Sequence, residues 1–126
     1  MSIALRVTAL DCPDPIALAN FYADLTGLEV EPHNGFAPED VDWIEVQDHG
    51  RSILGFQKVP HYVAPTWPEG PVPQQLHLDF AVADLDEGEA HVLAVGATKA
   101  AYQPGDSFRV YLDPVGHPFC LVLDND

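Results

Sequence analysis

The sequence predicts an α+β fold made of two βαβββ modules, and three observations predict it. Two stretches share one order of features: an aliphatic run, an aspartate at a helix start, and a glycine at the helix end. Asp14 corresponds to Asp84 and Gly27 to Gly96 at nearly the same offset. Three further strand-like segments follow each helix, and a proline-rich stretch separates the two copies. The chain has 126 residues, 47% of them hydrophobic, the size and balance of one compact domain over 1–126. Its expected parts are a first module at about 1–59, a linker at about 60–73 and a second module at about 74–126.

The first strand is expected from Ile3 to Leu10, where aliphatic residues run up to the breakers Asp11, Cys12 and Pro13. Asp14 then offers a carboxylate to orphan backbone N–H groups, and Pro15 is tolerated at the first helical position. Leu18, Phe21 or Tyr22, and Leu25 recur at helical spacing, and Gly27 closes the helix. Strands are expected at Leu28–Glu31, Asp42–Val46 and Ser52–Lys58. The second copy repeats this with a strand at Leu76–Val82, a capping box of Asp84 and Glu87, and a helix to Val95 and Gly96. Strands at Thr98–Ala101, Phe108–Leu112 and Phe119–Leu123 follow. Asp48-His49-Gly50 and Asp113-Pro114-Val115-Gly116 read as matching hairpin turns. Between the copies, Pro60 to Pro73 contains five prolines, which excludes a helix or a central strand. Trp67 within it either closes over a cavity or packs the linker onto the body.

Five Lys and Arg against 20 Asp and Glu give a formal net charge of −15. A field of that sign repels phosphate backbones and anionic lipid surfaces, so neither nucleic acid nor membrane is expected as a partner. The two cysteines, Cys12 and Cys120, read as free thiols of a cytoplasmic protein. Walker A, dinucleotide-fingerprint, nucleophile-elbow, CxxC and HExxH patterns are all missing. Nucleotide hydrolysis, dinucleotide redox chemistry, zinc proteolysis and the usual serine hydrolases are set aside.

Four fragments in the right order, "FY" in the first helix, "LTGLEV" after it, "QLHLDFAVADLDE" and "DPVGHPFCLV", resemble the glyoxalase and bleomycin-resistance proteins of the vicinal oxygen chelate superfamily. The resemblance covers essentially the whole chain. It implies two modules whose curved mixed sheet surrounds a cleft, a small-molecule substrate or ligand, and a homodimer. In metal-dependent members the first and the last strand of each module carry one ligand each, usually His, Glu or Gln. Such an ion chelates two neighbouring substrate oxygens and stabilises an enediolate-like anion. Carried onto this chain, the pattern finds His77 as a match on the second module's first strand and Val7 as its counterpart. On the last strands it finds Cys120 and, four residues after Gly50, Leu54. A divalent metal at His77 therefore lacks the family's partners, and a shifted site would draw on Cys120, Gln57 or Asp79.

His77 is open to three roles: ligand, general acid or base, or polar cleft residue, with the substrate-facing role favoured. Asp79 shares its strand face and either orients the imidazole or forms a carboxylate at the cleft edge. Cys120 has acidic or apolar neighbours, which disfavour a thiolate, so it reads as a small filler at the substrate's edge. Gln57, Trp67 and Tyr111 complete the expected substrate contacts. Strand alternation puts either Phe108 or its neighbours Arg109 and Tyr111 inside, without deciding which. His33, His49, His61, His91 and His117 lack metal-ligand spacing and read as surface residues. Two functions remain open: a lyase or isomerase acting through His77 and a neighbour, or a metal-free binder of a drug or metabolite.

Overall fold

The computed structural model describes residues 2–33 and 35–124. It divides into two compact units, Met1–Tyr62 and Val63–Asp126.

In the first unit, strand β1 (Thr8–Cys12) leads into helix α1 (Pro15–Thr26), and β2 (Glu29–Val30), β3 (Trp43–Asp48) and β4 (Arg51–Lys58) follow. The sheet order is β1-β4-β3-β2, with β1 parallel to β4 and the other pairs antiparallel. The helix starts as its sequence dictates. Asp14 accepts from the Ala17 backbone N–H at 3.3 Å, Pro15 follows, and Gly27 caps the far end at φ 78°. Leu18, Phe21, Tyr22 and Leu25 are buried along one face of α1, and Tyr22 stacks on Phe56 of β4 at 5.7 Å. Rings of this size dominate core energetics, each contributing about 1.5–3 kcal/mol when fully buried.

The second unit repeats the plan with β5 (Leu78–Val82), α2 (Leu85–Ala94), β6 (Thr98–Lys99), β7 (Phe108–Leu112) and β8 (Pro118–Leu123). Its sheet order is β5-β8-β7-β6, again with one parallel pair, β5 and β8. Asp84 caps α2 by accepting from the Glu87 backbone N–H at 2.9 Å. Most of the proline-rich stretch that the sequence sets aside as a linker belongs to this unit, where Thr66 N–H donates to the Val72 carbonyl at 2.6 Å.

The pairing corrects several expected bounds. The first strand does not begin at Ile3; Thr8 is the first residue with a partner, opposite Leu54 on β4. The fifth begins at Leu78, so His77 stands at its mouth. The hairpin turns also differ. His49 and Gly50, at φ 49° and 81°, form a two-residue turn between Asp48 and Arg51. In the other hairpin the buried Asp113 carboxylate holds a longer loop, accepting from the backbone N–H groups of Val115 and His117.

One irregularity matters for the site. Val46 faces Leu54 whereas Gln47 faces Ser52, so Ile53 is an extra residue on β4. The second sheet has no such insertion: Tyr111 faces Phe119 and Leu112 faces Pro118. Counting four residues from Gly50 to find the counterpart of Cys120 therefore slips by one. Leu54 lies on the helix side with Phe56, and the residue matching Cys120 is Gly55. The expectation that Leu54 holds a ligand position is corrected to Gly55, which carries no donor either.

Candidate functional site

The open face of the second sheet carries the candidate site. The structure settles which residues of β7 face it: Phe108 and Val110 line a cavity of about 370 Å³. Arg109 and Tyr111 take the other side. Tyr111, expected at the substrate, is fully buried against α2, stacks on Phe119 at 5.7 Å and donates its hydroxyl to Glu89 at 2.9 Å. Burial, reinforced by that carboxylate, pushes its phenol up to about 12. Arg109 bonds Asp86 at 2.9 Å and Lys99 bonds Glu89 at 2.8 Å, so this charged layer anchors the helix to the sheet.

His77, Asp79 and Cys120 converge on the cavity side. Asp79 faces Cys120 directly across the β5–β8 pair, and His77, two residues upstream, projects from the same face. His77 Nε2 lies 3.1 Å from Asp79 Oδ1, and one donor atom from each of the three residues lies within 4.8 Å of the others. Cys120 is buried beside Ala100 and Val110. Burial, then the neighbouring Asp79 charge and its hydrogen bond, push the thiol up to about 11, so it is a protonated donor rather than a nucleophile.

Around these polar groups the wall is apolar: Trp67, Phe108, Pro118 and Val122. Trp67 lies 5.8 Å from Tyr102, ring to ring, so the proline-rich stretch contributes part of the wall. Gln74 also lines the cavity, and its side-chain oxygen is buried without a hydrogen-bond partner. An unmet buried acceptor is costly and calls for a donor. Neither sequence spacing nor motif points to Gln74, which lies between the proline-rich stretch and β5. Of the six expected site residues, His77, Asp79, Trp67 and Cys120 share this cavity. Gln57 is an exposed residue of the first unit, beside Trp43.

The first unit's equivalent sheet face holds something the sequence reading missed. Glu45, only 4% exposed, receives a bidentate pair from Arg6 at 2.7 and 2.9 Å, the Trp43 indole N–H at 2.7 Å and the Ser52 hydroxyl at 2.6 Å. Arg6 first, then Ser52, hold its carboxyl at about 2 against burial. Its only sequence signal is an acid between the core residues Ile44 and Val46.

The metal site of the superfamily, with ligands from both modules, does not fit this chain. Its positions in the first module are Val7 and Gly55, and the nearby Glu45 is saturated by its own partners.

Two βαβββ modules with an apolar cavity and a cluster of polar side chains on an open sheet face define a protein of the vicinal oxygen chelate fold. The glyoxalase-like domain family matches residues 7–122, and the chain belongs to it. Among solved structures, a glyoxalase/bleomycin resistance protein/dioxygenase family enzyme from Burkholderia phytofirmans PsJN is 19% identical, with a TM-score of 0.65 over 96% of this chain and 98% of that one. The glyoxalase family protein from Enterococcus faecalis is 24% identical, with a TM-score of 0.66 over 94% and 96%. The fosfomycin resistance protein FosX from Listeria monocytogenes is 15% identical, with a TM-score of 0.66 over 99% and 96%. At these identities the likeness is one of fold. No curated protein matches the sequence.

Proposed function

We propose that the protein is a lyase- or isomerase-type enzyme acting on a small hydroxy-carbonyl compound, with His77 as the proton-transfer group and Asp79 as its positioning partner. The observation that carries this reading is the His77–Asp79 pair, 3.1 Å apart, at the edge of an otherwise apolar cavity. A cavity of about 370 Å³ suits a compact ligand. The apolar wall takes the ligand's body, and the Gln74 side chain, which also lines the cavity, is a polar neighbour for a hydroxyl. With Nε2 directed at Asp79, the other imidazole nitrogen is left to accept a proton from the carbon beside a carbonyl and to return it.

The test uses aryl hydroxyketones, which combine a flat apolar ring, an O–H donor and an acidic C–H. Incubated with the metal-free protein in deuterated water, they should take up deuterium at that carbon. His77→Ala should slow the uptake about a hundredfold or more while leaving binding within a few-fold. A second reading, sequestration without chemistry, draws on the apolar wall and on Cys120 remaining a thiol. Binding without exchange would favour it, and neither binding nor exchange would end both readings.

The same proposal has the protein working as a cytoplasmic homodimer. Two buried thiols suit a reducing compartment, and Ile3 and Leu5, 91% and 87% exposed, are apolar surface that a second copy would cover. Sedimentation of the wild type and of an Ile3→Asp/Leu5→Asp variant checks the dimer.

A further inference from the structure

We propose that the first unit carries a second ligand site, in which a guanidinium group stacks on the exposed face of Trp43 and donates its forked N–H groups to Asp42 and Gln57. The site belongs to the sheet of the first unit and does not depend on the function proposed for the cavity of the second.

Two features of β3 and β4 are unfavourable by themselves and share one consequence. Gly55 sits inside a strand, where glycine weakens the pairing and packs nothing of its own. Glu45 is a buried carboxylate, which is tolerated only while its partners hold. Together they fix Trp43. The missing side chain at Gly55 leaves room for the benzo ring of the indole, which would collide with a Cβ there. Glu45 Oε2 accepts the indole N–H at 2.7 Å, and Arg6 and Ser52 hold that carboxylate in turn. The ring is pinned over Gly55, yet Trp43 remains 39% exposed. A tryptophan fixed this firmly and left partly in water presents a preorganised face to a ligand.

The neighbours select the ligand. Trp43 pairs with Gln57 on β4 and Gln57 pairs with Asp11 on β1, so indole, amide and carboxylate form one row across the sheet face. Asp42, Trp43 and Gln57, with Lys58 and Pro60, line a recess of about 530 Å³. Asp42 enters none of the ion pairs among the described residues. Lys58 turns its ammonium to the Glu39 carbonyl at 3.0 Å. An aromatic face beside an available carboxylate attracts a cation, and Glu45, by accepting the indole N–H, makes that face richer in electrons. Met1–Tyr62 holds ten Asp and Glu against three Lys and Arg, so the surrounding field acts in the same direction. Among cations, a flat guanidinium stacks on the indole while its in-plane N–H groups reach the Asp42 carboxylate and the Gln57 amide oxygen together. A quaternary ammonium has no N–H to give them. A free guanidino compound and a peptide arginine offer the same group.

Nitrogen-15 NMR of the full-length protein tests the site. Methylguanidinium stands for a free guanidine and N-acetyl-arginine methylamide for a peptide arginine. Both should saturably shift the Asp42 and Trp43 backbone amides, the Gln57 side-chain amide and the Trp43 indole N–H, and leave His77 and Asp79 unmoved. Tetramethylammonium should bind at least about tenfold more weakly, and neutral methylurea should shift nothing. Trp43→Ala and Asp42→Asn should each weaken binding at least about tenfold, and Trp43→Phe, which keeps an aromatic face, should cost only a few-fold. Asp42 is exposed, so its variant reports on binding even where Trp43→Ala disturbs the sheet. An arginine derivative that binds about tenfold more tightly than methylguanidinium assigns the site to a peptide, and equal or weaker binding assigns it to a free guanidine. No saturable shift, shifts matched by methylurea or tetramethylammonium, or binding indifferent to Trp43 and Asp42 would overturn the site.

Discussion

At the scale of single residues, the first unit invests most in Glu45. Burying a carboxylate is expensive unless every lone pair is met, and here Arg6, Trp43 and Ser52 meet them. Glu45→Gln should lower stability by about 1–3 kcal/mol at neutral pH. The Arg6 side chain is 69% exposed, so solvent screens its share and the lower half of that range is expected. The pH dependence has a definite sign. The folded carboxyl sits at about 2 instead of 4.5. Its stabilisation is therefore complete above about 4.5 and is lost as pH falls toward 2. Urea midpoints of wild type and variant should differ at pH 7, with the gap shrinking below about pH 4.5 and closing as the pH falls through about 2. A gap that stays constant across that window would mean that the network contributes packing rather than charge.

At the scale of elements, the β3–β4 pair depends on a missing side chain. A Cβ at Gly55 would come within 2.4 Å of the Trp43 ring, which its indole bond to Glu45 holds in place. Gly55→Ala should cost about 1–3 kcal/mol by overpacking, and adding Trp43→Ala should recover most of the clash term in thermal unfolding. At the other sheet, Asp84→Ala removes the α2 cap and should cost about 1 kcal/mol, read from the same measurement. These elements differ in how far the sequence discloses them. The helices are legible because their signals are local: Asp14, Pro15 and Gly27 bound one, and Asp84 starts the other. The halves repeat for the same reason; His77 and Cys120 are picked out only by the family resemblance, and Asp79 by strand alternation from His77. Pairing is not local. Ile3 to Val7 look like strand but have no partner in β4, and the extra Ile53 shifts the register without changing the apolar pattern. Alternation along Phe108–Leu112 gives two sets of side chains but not the side on which α2 lies, so Tyr111 was expected in the cavity that Phe108 and Val110 line. Gln74 matters only because the fold buries its oxygen.

At the scale of the whole molecule, the net charge of −15 acts on any ligand before contact. Asp79 adds a negative charge at the cavity itself, beside a wall that offers little to an anion. Both effects favour neutral or cationic ligands, but salt separates them. The molecular field is felt across about 30 Å at 0.01 M salt and about 3 Å at 1 M, whereas a contact inside the cavity is screened far less. Three aryl hydroxyketones that differ only in a distal neutral, carboxylate or trimethylammonium group would report each contribution by calorimetry. In dilute salt the ammonium compound should bind most tightly and the carboxylate most weakly. If the field dominates, the three affinities should converge near 1 M salt. If Asp79 dominates, the order should persist there, and Asp79→Asn should remove it.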